Sequence, residues 1–145
     1  MVPRALARAG RKAAAAGVTP RFVEGDVTRL QESGIGGGYT LLLDFGCFHT
    51  LPRDRRYAYV ESTTQAAAPG ATLLLYGFTR PPRLAPMYAG VSTDEVRDRF
   101  GGRGWELLSA EPMSADALAV AGQPLGDRFE AWRYRMRRNH QSPRT

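Results

Sequence analysis

Four side chains of this sequence have the types and spacing to do chemistry: Asp26, Asp44, Cys47 and His49. Asp26 closes the short strand-like stretch Arg21-Phe-Val-Glu-Gly-Asp26, and Asp44 closes the apolar run from Tyr39 to Phe45. Acidic residues at the carboxyl ends of strands sit where open α/β sheets bind ligands. Asp26 could equally cap the turn before Leu30, and Asp44 could serve a helix dipole or a cap. His49 lies five residues beyond Asp44, in the loop that follows the same strand. A neutral imidazole there can take a proton from an incoming thiol, hydroxyl or amine, and the alternative is a packed structural histidine. Cys47 has no basic partner at a fixed spacing, so it reads as a small apolar residue and not a nucleophile. As the only cysteine it forms no internal disulfide, and with His49 and His140 it makes no set at metal-ligand spacing.

The elements that must hold these residues alternate. Pro3 opens a helix over residues 3–16 that Gly17 stops. A first strand ends at Glu24, and the buried-type run Tyr39 to Phe45 makes a second. A helix over 53–68 follows, with Tyr57, Val60, Thr64 and Ala67 on one face, closed by Pro69 and Gly70. Ala71 to Phe78 is the next strand, which completes a right-handed parallel crossover. A proline-rich loop occupies 79–90. Ser92 and Glu95 then form a capping box ahead of a short helix through Phe100. A strand from Trp105 and another over 128–137 end the fold. In the last, Trp132, Tyr134 and Met136 alternate with Arg133, Arg135 and Arg137, a pattern suited to an antiparallel partner and one wet face.

The chain has 145 residues, enough for one domain with an ordinary core, and its 43% hydrophobic and 23% charged residues exclude a disordered class. No apolar run approaches the roughly 18 residues of a membrane span, so a cytoplasmic protein away from membranes is expected. The net charge of +6 is concentrated at the end, where residues 128–145 hold six Arg and one Glu. A basic nucleic-acid-binding module is therefore one alternative, and a non-catalytic module that needs a partner is another. The first is disfavoured because Trp132 and Tyr134 alternate away from the arginines and offer no mixed aromatic and basic platform.

Taken together, Arg21-Phe-Val-Glu-Gly-Asp26, Leu41-Leu-Leu-Asp-Phe-Gly-Cys-Phe-His-Thr-Leu-Pro52, Ala68-Pro-Gly-Ala-Thr-Leu-Leu-Leu-Tyr76 and the terminal Phe129-Glu-Ala-Trp-Arg-Tyr134 resemble the class I S-adenosylmethionine-dependent methyltransferases of the small-molecule, thiopurine and methyltransferase-domain type. The resemblance implies a Rossmann-like α/β sheet, mostly parallel, with an antiparallel C-terminal strand pair. It implies S-adenosyl-L-methionine as cofactor and a small-molecule methyl acceptor. Asp26 would meet the adenine amine and the Val27 N–H a ring nitrogen, with Gly25 beside them. Asp44, Phe45 and Gly46 would line the cofactor, His49 would be the catalytic base, and Met87 and Tyr88 would touch the acceptor.

One departure stands out. The family's Asp-x-Gly-x-Gly-x-Gly loop, which holds the methionine moiety, has no counterpart, and Gly36-Gly-Gly38 precedes a strand instead of following one. The expectation is an N-terminally truncated, partial methyltransferase domain over 1–138 with a flexible basic tail over 139–145. With the intervening strands missing, the Phe22 strand would either move in beside Leu41 or leave that edge open to self-association.

Overall fold

The computed structural model describes residues 3–78, 90–114 and 130–140. Helix α1 spans Pro3–Ala15, strand β1 Tyr39–Phe45, helix α2 Arg56–Ala66, strand β2 Ala67–Phe78, helix α3 Thr93–Gly101, strand β3 Trp105–Pro112 and strand β4 Ala131–Arg138. Two 3₁₀ turns, Val27–Ser33 and Phe48–Thr50, fill the connections before and after β1. The strands form one mixed sheet in the order β1-β2-β4-β3. β1 and β2 are parallel, with Leu43 beside Leu74, and β4 runs antiparallel to both β2 and β3. This is the expected α/β architecture with its antiparallel C-terminal pair.

Helix α2 runs straight into β2 without a connecting residue. Its end, expected at residue 68 ahead of Pro69 and Gly70, comes two residues earlier, at Ala66. Proline biases the residue before it towards extended backbone, and the chain has already become extended at Ala67 (φ −79°, ψ 147°). Pro69 and Gly70 instead lie inside the strand, where the register with β1 slips between Tyr39 and Leu41. Irregular pairing is where a strand accommodates a residue that has no N–H to give.

One face of the sheet is covered by α2 and α3. Leu73 and Leu75 of β2 and Tyr134 and Met136 of β4 are buried there with Val60, Val96 and Phe100. Rings link the layers: Phe48 meets Phe100 at 5.5 Å, and Phe100 meets Trp105 edge-on at 6.3 Å. The buried side of α2 is made by Arg56, Tyr59, Val60, Ser62, Thr63 and Ala66. Tyr57, predicted to face inward, is exposed and holds Arg103 over its ring. The capping box is realised, as Ser92 Oγ accepts from the Glu95 N–H at 3.1 Å.

The two N-terminal expectations fail. Residues 18–26 form no strand, and Phe22 is exposed, because no sheet edge lies beside it to accept its backbone. β1 was expected to be buried on both sides as parallel strands are, yet it is the edge strand. Leu41 and Leu43 are 61% and 65% exposed, since no described element covers that face. No helix among the described residues is long and apolar enough to cross a membrane.

Between α2 and α3 lies a fully buried Arg56. Its Nε donates to the Leu51 carbonyl at 3.1 Å, one terminal nitrogen to the His49 carbonyl at 2.9 Å, and the other to Glu95 Oε2 at 2.7 Å. Phe48 stacks beneath the guanidinium at 5.2 Å. Glu95→Gln leaves this cation buried without a counter-charge and should cost about 3–5 kcal/mol. Arg56→Met combined with Glu95→Leu should cost less than that single change, because no charge stays buried. Urea unfolding midpoints of the three proteins check the order, and a Glu95→Gln midpoint equal to the parent's would contradict it.

Candidate functional site

The carboxyl ends of β1 and β2 point the same way, and the chain leaving β1 turns back across them. Gly46, at φ +88°, makes that turn in a region side chains rarely adopt, and its N–H donates to the Tyr76 carbonyl at 3.1 Å. The Phe48–Thr50 turn follows. Asp44, only 4% exposed, holds the whole segment. Its Oδ1 accepts from the Cys47 N–H at 2.6 Å, and its Oδ2 accepts from the Phe48 N–H at 2.9 Å and the Tyr59 hydroxyl at 2.6 Å. Burial and the Asp44 charge push the Tyr59 hydroxyl well above its ordinary pKa, so it stays a donor. The capping reading of Asp44 is what the geometry displays, with both oxygens engaged by the protein.

His49 is 5% exposed and stands edge-on to Phe78, ring centres 4.9 Å apart. Burial lowers its pKa, Asp44 partly opposes this, and Arg56 reinforces it. The imidazole is therefore neutral at pH 7, and its Nδ1 has no hydrogen-bond partner. Two glycines make room for the ring. A Cβ on Gly46 would come within 3.3 Å of His49 Cε1, and one on Gly77 would lie 2.8 Å from Val91 Cγ1 and 3.6 Å from His49 Nδ1.

Asp26 caps the Val27–Ser33 turn, as its alternative reading had it. Oδ1 accepts from the Thr28 N–H at 2.9 Å and the Thr28 hydroxyl at 2.8 Å, and Oδ2 pairs with Arg55 at 2.5 Å. These contacts, the Thr28 N–H first, lower its pKa to about 2. Its side chain is still 42% exposed, so the ionised carboxylate faces solvent. Gly25 has a packing reason of its own, because a Cβ there would fall 2.1 Å from Ser33 Oγ. The turn is clamped to α2, where the Ser62 hydroxyl accepts from the Leu30 N–H at 2.8 Å.

Cys47 follows Asp44 by three residues and gives its backbone N–H to that carboxylate. Its thiol is pushed up to about 11 by burial, then by the charges of Asp44 and Asp26. That agrees with a packed thiol and not a nucleophile. The Asp26 turn and the turn that leaves β1 are both tied to the start of α2, where Arg55 pairs with Asp26 and the neighbouring Arg56 donates to the His49 carbonyl. Met87 and Tyr88 lie outside the described residues. Arg55, Arg56, Tyr59 and Gly77 were not singled out from sequence, and only the placement of Arg55 and Arg56 at the start of the helix after Pro52 hints at them.

The Asp26 carboxyl carries a folded-state pKa below its ordinary 3.8. A depressed carboxyl stabilises the fold above its unfolded pKa and loses that contribution as pH falls through the folded one. The window is therefore pH 4 down to about 2. Asp26→Asn should be less stable than the parent at pH 7, with the gap narrowing across that window. Thermal melts in steps from pH 5 to 2 check this, and a gap independent of pH would sink it.

No family model matches the chain. Solved structures do. The chain aligns over 97% of its length, at 26% identity and a TM-score of 0.72, with a protein solved in a study of the conversion of a disulfide bond into a thioacetal group during echinomycin biosynthesis. It aligns over 90%, at 14% identity and a TM-score of 0.68, with the Burkholderia thailandensis 1,6-didemethyltoxoflavin-N1-methyltransferase, solved with 1,6-didemethyltoxoflavin and S-adenosylhomocysteine bound. It aligns over 93%, at 14% identity and a TM-score of 0.68, with the 4+2 cyclase SpnF. The chain spans 64%, 56% and 62% of those three chains. Over nearly its whole length it has the fold of the S-adenosylmethionine-dependent methyltransferases.

Proposed function

We propose that this chain carries the adenine-side and acceptor-side residues of an S-adenosylmethionine-dependent methyltransferase acting on a small molecule. The observation that supports this reading is that the Asp26 turn and the turn leaving the carboxyl end of β1 in the parallel pair are both tied to the start of α2, through Arg55 and Arg56. The same fold also serves a cyclase, so the residues have to carry the argument.

Bound S-adenosylmethionine would supply a methyl group already activated on a sulfonium. The protein then has to bind, align and manage a proton. In this reading the exposed, ionised Asp26 accepts from the exocyclic amine of adenine. The Val27 N–H, which begins its turn and has no partner within it, donates to a ring nitrogen. Discrimination follows, because another base would leave that carboxylate facing an acceptor. Phe45, half exposed at the strand end, is the apolar wall, and Gly46 lets the backbone pass close to the ligand. Asp44 contributes by fixing this segment more than by touching the ligand. Neutral His49, with Nδ1 unspent, takes the proton released by the acceptor. Met87 and Tyr88 complete the acceptor side in this reading. The sequence has no Asp-x-Gly-x-Gly-x-Gly stretch for the methionine moiety, so this chain's own grip on the cofactor is weak.

Amide chemical shifts of the chain titrated with S-adenosylhomocysteine test the cofactor half. Shifts should centre on Gly25, Val27, Phe45 and Gly46 with a Kd on the order of 1 mM, and Asp26→Ala should remove them. Unmoved amides, or shifts that survive Asp26→Ala, would overturn the assignment. Where methyl transfer is measured, His49→Ala should lower kcat about 10²-fold or more with the cofactor KM unchanged. A kcat equal to the parent's across pH would leave His49 a packing residue.

A further inference from the structure

An indole nitrogen can only donate, and the two tryptophans of this chain meet that demand differently. Trp105 Nε1 donates to Thr64 Oγ1 at 2.8 Å. Trp132 Nε1 is buried and has no hydrogen-bond partner among the described residues. An N–H left unpaired away from water carries the whole cost of its lost hydration, so its place in the fold calls for an acceptor.

That place adjoins His49. Trp132 stands opposite Gly77 in the antiparallel pairing of β2 and β4, so its Cβ is about 5 Å from where a Gly77 Cβ would project. His49 reaches the same point from the turn after β1, with Nδ1 3.6 Å from that Cβ position. Glycine at 77 thus keeps a slot beside two nitrogens that both lack partners, one a proton acceptor and one a donor. Tyr134 stacks on the indole with ring centres 6.5 Å apart and planes 19° apart, which fixes the ring. Trp132 itself is only partly buried against the core, so its ring reaches the surface. β4 lies on the side of β2 away from β1, so this pairing does not depend on what borders the β1 edge.

We propose that Trp132 is a second catalytic residue of the methyl transfer, whose N–H binds an oxygen or nitrogen of the acceptor conjugated to the atom that is methylated. The inference rests on the methyltransferase reading with His49 as base. A proton acceptor and a free N–H beside one slot match a ligand edge that offers a donor next to an acceptor atom, as a lactam or a conjugated hydroxy-ketone does. The nucleophile's proton passes to His49 Nδ1 while its electron pair closes the bond to the methyl group. The bond from that methyl to sulfur breaks, and its pair stays on sulfur. Charge that builds on the acceptor during this exchange spreads to the conjugated atom, where the Trp132 N–H meets it. An amine or alcohol without such an atom leaves the indole unpaired and is the poorer substrate.

The indole N–H resonances of the full chain test it, with the satisfied Trp105 as internal standard. Trp132→Phe assigns them, and Trp105→Phe does so if the first variant fails to fold. The probes are α-pyridone, which carries an N–H beside a carbonyl, and pyrrole, which carries the N–H alone. α-Pyridone should move the Trp132 N–H proton downfield saturably and leave Trp105 in place, whereas pyrrole should move neither. Trp132→Phe should weaken α-pyridone binding, followed at the His49 ring resonances, about tenfold and leave that of pyrrole unchanged. A Trp132 resonance indifferent to α-pyridone, or equally responsive to pyrrole, would overturn the proposal. If that happens while the Val27 and Gly46 amides still respond to S-adenosylhomocysteine, this inference alone falls. The reverse result overturns the cofactor assignment, and the catalytic role of Trp132 with it.

Discussion

A single buried cation organises the covered half of this protein. Arg56 could not sit at full burial unless its donors were occupied, because an isolated charge in the interior carries a desolvation cost of several kcal/mol. Glu95 supplies the counter-charge, and the carbonyls of His49 and Leu51 take the remaining directions. Those carbonyls belong to the turn that leaves β1. The acid belongs to α3. One side chain of α2 therefore sets the spacing of three segments, and Phe48, stacked under the guanidinium, extends that order to Phe100 and Trp105. The place where the carboxyl ends of the strands open is fixed from behind by this arrangement.

The two carboxylates of the site answer different demands. Asp44 is engaged by two backbone N–H groups and the Tyr59 hydroxyl, so its charge is absorbed in shaping the turn that presents Gly46 and His49. Asp26 also caps a turn, but it stays open to solvent while Thr28 and Arg55 keep it ionised. A charge that is held in place and left accessible can still accept a charge-assisted hydrogen bond from outside the protein. A charge sealed under an aromatic hydroxyl is scaffolding. The difference follows from position, since β1 is roofed by α2 at Asp44 whereas the Asp26 turn only leans on α2 through Ser62.

Much of the fold was legible in the residues because local signals agreed with the tertiary result. The leucine-rich strands, the Ser92 and Glu95 cap and the alternation from Trp132 to Arg137 all appear where the sequence puts them. The strand at Phe22 does not. Apolar and β-prone residues make a strand only when a neighbouring edge accepts their backbone, and pattern contains no information about that neighbour. For the same reason the apolar run of β1 read as buried on both faces, although one face is open. At the site, Asp26, Asp44 and His49 were visible as types at strand ends. Arg56 and Tyr59 were not, because a buried arginine and a tyrosine bound to a carboxylate look in sequence like ordinary residues of an amphipathic helix. Gly77 was silent too, as its reason is the space occupied by Val91 and His49.

The junction between α2 and β2 bears on how this chain can change over generations. Ala66 ends the helix and Ala67 begins the strand, so no residue there is spare. Side chains of a strand alternate with a period of two, so inserting or deleting one residue at this point would turn Leu73 and Leu75 out of the core and Leu74 and Tyr76 into it, unless the helix rewound to compensate. The glycine segment from Gly36 to Gly38 can absorb length without any such consequence, because its backbone joins no ladder. Lineages of this protein should therefore drift in length ahead of β1 and keep the α2–β2 boundary invariant, making that boundary the fixed mark from which distant sequences can be aligned.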